Sequence, residues 1–153
     1  MIKIQITKEM KERARERCLR EQAKYGFYNS SSSSFRDVKK RYLGFLGEEV
    51  ISSFFNTPLV NKTDYDIILN GYRVEIKSQS LNKHRVKNTY EVHSLKLCED
   101  CDKYIFVMVH NSFEYAWFIG HIPKDDFNAR CKRIKFKGNL EYVLPISELE
   151  EVF

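Results

Sequence analysis

Residues Thr63 to Gln79, TDYDIILNGYRVEIKSQ, read as two short strands joined by a tight turn. Asn-Gly is the strongest short signal for a two-residue hairpin, because both turn positions need positive φ, and Asn70 and Gly71 stand between the runs YDIIL and YRVEI. Pairing outward from the turn sets Leu69 opposite Tyr72, Ile68 opposite Arg73, Ile67 opposite Val74, Asp66 opposite Glu75 and Asp64 opposite Lys77. Side chains alternate along a strand, so Asp64, Asp66, Glu75, Lys77 and Gln79 share one face while Tyr65, Ile67, Val74 and Ile76 turn to the core. Two carboxylates set opposite each other repel, and a cation is expected between them. A hard divalent ion such as Mg²⁺ takes oxygen ligands, commonly one or two carboxylates, and fills its other positions with water and substrate phosphate. The same face would be ordinary solvated surface if Lys77 and Arg73 only neutralise the acids. A bulge would slip the register by one residue and turn Asp66 away from Glu75.

Around this hairpin, 153 residues with 42% hydrophobic content suit one globular domain with its own core. No apolar run approaches the ~20 residues that span a bilayer. The opening MIKIQITKEMKERARERC has no apolar secretory core, so an intracellular, cytoplasmic protein of microbial or viral type is expected. The net charge of +5 makes a polyanion a reasonable partner. Its cations concentrate on a predicted N-terminal helix, which also carries acids at ion-pair spacing, and in Lys83, His84, Arg85 and Lys87 just past the hairpin. The second group lies where a phosphate backbone would run beside the proposed ion, and is the expected nucleic-acid contact.

Along the chain, a strand at Ile2 to Ile6 leads into a basic helix over about 7–24, capped by Thr7, with Met10, Ala14 and Cys18 or Leu19 on one side. The Ser-rich stretch 30–34 reads as a flexible loop. The core spans 37–153: a second helix from about Asp37 to near Asn56, the hairpin, a strand near Tyr90 to His93, and a buried hairpin of KYIFVMVH and EYAWFIGHI. PKDDFNARC then begins a helix, NLEYVLPI a strand, and Ser147 a terminal helical turn. This order implies an α/β fold, a mixed central sheet flanked by helices.

A helix carrying Gly47 and Glu48, an acid about eighteen residues on at Asp66, and Glu75-Ile76-Lys77 on the adjoining strand resemble the PD-(D/E)XK nuclease superfamily, the restriction-endonuclease-like fold. The likeness covers about Gly44 to Gln79; Tyr65 stands where the motif's proline is expected. The resemblance implies that Asp66, Glu75, the carbonyl of Ile76 and Glu48 bind Mg²⁺ or Mn²⁺. It implies that Lys77 positions or activates the attacking water and that Gln79 holds water or substrate. Hydrolysis of phosphodiester bonds follows, in DNA in preference to RNA, with a homodimer suited to double-strand cutting. Asp64 is the alternative to Asp66, and a helical wheel leaves Glu48 and Glu49 undecided; the Gly-Glu pattern points to Glu48. Two other functions fit the same chain. One is non-catalytic nucleic-acid binding on this fold. The other is an interaction protein stabilised by zinc at Cys98 and Cys101, with Cys131, His93 or His121 completing the ligands.

Overall fold

The computed structural model of the chain describes residues 1–25, 35–60 and 64–153. The Ser-rich stretch 30–34 lies outside them. After strand β1 (Ile2–Gln5), helix α1 (Lys8–Tyr25) starts where Thr7 Oγ1 accepts the N–H of Met10 at 3.2 Å, the expected cap. Its Met10, Ala14 and Cys18 are buried and Leu19 is exposed. Helix α2 (Phe35–Phe54) begins two residues before the expected Asp37. It stops ahead of Pro58 at Asn56, whose φ of 49° lets Thr57 N–H reach Ser52 O at 2.9 Å and Asn56 N–H reach Ser53 O at 3.2 Å, the paired bonds of a Schellman end.

Strands β2 (Ile67–Leu69) and β3 (Tyr72–Leu81) form the Asn-Gly hairpin, with φ of 51° at Asn70 and 83° at Gly71 and the pairs Ile67–Val74, Ile68–Arg73 and Leu69–Tyr72 in the expected register. β3 runs parallel to β5 (Lys103–His110), which pairs antiparallel with β6 (Tyr115–Pro123), and β6 with β1. The result is a mixed five-stranded sheet in the order β1-β6-β5-β3-β2. One face carries Ile67, Val74, Ile76, Ile105 and Val107, covered by Leu46, Val50 and Ile51 of α2 and Met10 and Ala14 of α1. The other carries Tyr104, Phe106, Met108 and Trp117.

That second face is closed by Phe127 of the short helix α3 (Lys124–Arg130) and by a three-stranded sheet in the order β4-β8-β7, through Val92 and Leu144. β4 (Glu91–Ser94) is the strand expected near Tyr90 to His93, but it belongs to this second sheet, paired with β8 (Asn139–Pro145). β7 (Lys132–Phe136) answers no expected strand. A 3-10 turn over Ile146–Glu148 stands where a helical turn from Ser147 was expected. The fold of the described residues is thus mixed α/β, with three helices among them. No helix among the described residues is long and apolar enough to cross a membrane.

Candidate active site

The hairpin ladder ends in register at Ile67. The next N–H, of Asp66, goes to the carbonyl of Val74 at 2.9 Å, the residue Ile67 already faces, so two residues of one strand share one partner, as in a β-bulge. Alternation slips with it. Tyr65, expected beside Ile67 on the core face under α2, packs into the cluster on the opposite face. The expected Asp66–Glu75 and Asp64–Lys77 pairings therefore do not form. Asp66 instead lays its carboxylate along the sheet edge, where Oδ2 accepts the N–H of Ile76 at 2.6 Å. A strand residue directs its N–H and C=O to the same edge, so the Ile76 carbonyl also faces the open end of β2.

Three carboxylates meet here from three elements: Glu48 of α2, Asp66 before β2, and Glu75 of β3. The Asp66 carboxyl is pushed up to about 8, first by burial and then by the charges of Glu48 and Glu75, against the pull of the Ile76 N–H and Lys77. Glu48 is also raised, first by burial and then by Glu75 and Glu49, while Arg17 pulls it down. Lys77 Nζ donates to Glu75 Oε1 at 2.7 Å, where the sequence paired it with Asp64, and lies 6.0 Å from the Tyr104 ring. Asp64 is exposed, and its carbonyl accepts the Cys98 thiol at 2.9 Å.

The structure separates the two helix acids that the wheel could not. Glu49 is buried against α1, bonded by Arg13 Nε at 2.7 Å, and Glu48 is the one whose charge reaches Asp66. Arg17, which sequence reasoning passed over, donates from Nη2 to Glu48 Oε2 at 2.5 Å, sits 4.4 Å from the Phe45 ring, and leaves Nη1 buried without a hydrogen-bond partner. The available signal was spacing. Arg13 and Arg17 stand four residues apart and flank the buried stripe of Met10, Ala14 and Cys18.

Gln79 uses both ends of its amide on β4. Nε2 donates to Glu91 O at 3.4 Å and Oε1 accepts His93 N–H at 3.2 Å. Lys83, His84, Arg85 and Lys87 follow on an exposed connection between β3 and β4, with His84 Nδ1 2.9 Å from Tyr115 Oη. Cys101 is buried, and its thiol is held well above the usual range by burial, by Cys98 and by the charge of Glu75. His93 bonds Glu141 at 2.6 Å, and His121 bonds Val152 O at 2.5 Å.

Among the described residues no group of three or more His, Cys, Asp or Glu side chains is placed to hold a metal ion. Glu48 is turned to Arg17 and Glu75 to Lys77. The donor chemistry nonetheless fits a hard divalent ion, being all oxygen: three half-buried carboxyl groups and the Ile76 carbonyl. A groove between α1 and α2, lined by Arg15, Cys18, Leu19, Gln22, Val38 and Tyr42, shares no residue with this cluster. No protein-family model matches the chain, and no characterised protein is similar to it in sequence.

Proposed function

We propose that this chain is a divalent-metal-dependent nuclease of the restriction-endonuclease-like, PD-(D/E)XK type that hydrolyses phosphodiester bonds in DNA. The observation that carries this reading is the half-buried Asp66 carboxyl at the edge of β3, accepting the Ile76 N–H, with Glu48 and Glu75 near enough for their charges to act on it and the Lys77 ammonium bonded to Glu75. Mg²⁺ or Mn²⁺ would be held by Asp66, Glu75, the Ile76 carbonyl and Glu48. The ion would stabilise charge developing on phosphoryl oxygens and make a bound water acidic.

Lys77 supplies fixed positive charge beside the scissile phosphate and orients the attacking water, whose oxygen bonds to phosphorus as the bond to the leaving oxygen breaks. Arg17 bonds Glu48 and favours its ionised form against the burial that raises it. Gln79 fixes β4 as one wall of the site, and Lys83, His84, Arg85 and Lys87 hold the backbone of the bound strand. A homodimer would bring two such sites to opposite strands.

The test is cleavage of linear, circular and branched DNA and of RNA with Mg²⁺ or Mn²⁺, beside Asp66→Ala, Glu75→Ala and Lys77→Ala. Each variant is expected to lose on the order of 10²-fold or more in rate. Metal-independent or absent cleavage by the wild type, or full activity in the variants, contradicts the proposal. The Arg17–Glu48 and Lys77–Glu75 bonds favour one second reading, a binding protein on the same fold whose acids are neutralised internally. It predicts salt-dependent DNA binding that survives Glu75→Ala, with no cleavage.

A further inference from the structure

The β7–β8 hairpin places Lys132, Arg133, Lys135 and Lys137 on the outer edge of the small sheet, all exposed. None of them makes an ion pair among the described residues. The hairpin's one acid, Glu141, is taken by His93, and Arg130, just before β7, by Glu148 at 3.1 Å. Tyr142 lies 6.0 Å from Arg133 and Phe136 5.3 Å from Lys137. Four unneutralised cations crowded on one short hairpin repel one another, and a bound polyanion relieves that repulsion. Phe136 and Leu140, both exposed, lie among them. An exposed ring set between cations suits the bases and sugars of a nucleic acid better than the carboxylates of an acidic protein.

The hairpin is also tied to the carboxylate cluster. Gln79, two residues beyond Lys77 on the same strand, bonds the edge of β4, and β4, β8 and β7 are neighbours in that order. Two strand spacings, the span of the Gln79 side chain between β3 and β4, and one step of two residues along β3 put the cations on the order of 20–25 Å from Lys77. At ~3.4 Å per nucleotide this is about six or seven nucleotides of one strand.

We propose that the β7–β8 hairpin is a second nucleic-acid-binding surface, which grips the phosphates of the bound strand several nucleotides from the carboxylate cluster. The proposal rests on the reading of that cluster as a nuclease site, and its test is made on binding alone. Fluorescence anisotropy of a labelled DNA duplex and of the corresponding single strand is followed against salt without divalent metal. Three proteins are compared: the wild type, a variant with Lys132, Arg133, Lys135 and Lys137 changed to Gln, and one with Lys8, Arg15, Arg20 and Lys40 changed to Gln. The last removes the same charge from α1 and α2.

Each lost phosphate contact lowers the slope of log K against log salt by about 0.7–0.9. With four contacts removed, the hairpin variant should therefore lose about 3–3.5 from the slope and bind at least tenfold more weakly at low salt, while the helix variant loses clearly less. A hairpin variant with the wild-type slope, equal losses in both variants, or a wild type that binds no DNA overturns the inference. Cleavage by the wild type with an unchanged hairpin slope would sink the surface and leave the nuclease. Loss of slope without any cleavage would sink the nuclease and leave the surface.

Discussion

Asp66 is where burial, like charge and the irregular ladder act on one side chain. Its folded carboxyl titrates near 8, raised first by burial and then by Glu48 and Glu75, whereas an unfolded aspartate titrates near 4. Between about pH 4 and pH 8 the folded chain keeps a proton that the unfolded chain has released, so this residue makes stability fall as pH rises through that window. Asp66→Asn retains an oxygen for the Ile76 N–H and cannot ionise. In metal-free protein it should be more stable than wild type by ~2 kcal/mol or more at pH 8, several degrees in melting temperature, with a smaller gain at pH 5. A divalent ion should raise the melting temperature of the wild type and do little for the variant. Melting curves across pH with chelator and then with Mg²⁺ check both, and an Asn variant no more stable than wild type at pH 8 contradicts the account. Arg17 is the counterpart: its bond to Glu48 is the resident charge compensation an ion would have to share.

At the scale of elements, the site depends on α2 lying close on β3, and Gly47 sets that distance. A Cβ there would fall 2.0 Å from Ser78 Oγ and 2.9 Å from Val107 Cγ1, while Ser78 Oγ donates to Gly44 O at 3.3 Å. Gly47→Ala must therefore push the helix off the sheet and carry Glu48 with it. We expect a loss of ~2 kcal/mol or more despite alanine's better helix propensity, read by denaturant titration. Equal or greater stability in Gly47→Ala would show that α2 shifts without cost. This packing explains in physical terms why a glycine precedes the acid. The Asn70-Gly71 turn, the Thr7 cap and the apolar strands β5 and β6 were legible because each rests on a local rule. The β7–β8 turn was not. It is built from Lys137 and Gly138, with φ of 48° and 83°, and lysine is no signal for a left-handed position that asparagine tolerates. The slip at Asp66 was foreseen as an alternative but could not be chosen, since an alternating pattern is equally consistent with a continuous ladder and with one carrying an extra residue.

At the scale of the molecule, the sequence indicated a mixed sheet with helices but not that the strands divide into two sheets, because the pairing of β4 with β8 is fixed by contacts more than forty residues apart. What joins the sheets is one apolar cluster, in which Leu144 of β8 and Val92 of β4 meet Phe106, Met108 and Trp117 of the larger sheet and Phe127 of α3. Neither sheet can lose this contact without exposing the other, and a core shared in this way should unfold as a unit. Trp117 is the only tryptophan and lies in that cluster on the larger sheet, while Leu144, 1% exposed, lies on the smaller one. Leu144→Ala removes buried methyl groups and leaves a cavity, which should cost about 2–4 kcal/mol. Because the cluster is common to both sheets, the loss should appear equally in Trp117 fluorescence and in far-UV circular dichroism, with the two transitions still superimposed. If the variant instead melts in two steps, with the Trp117 signal keeping the wild-type midpoint, the small sheet unfolds alone. The β4 wall beside Lys77 would then be a separable element of the site.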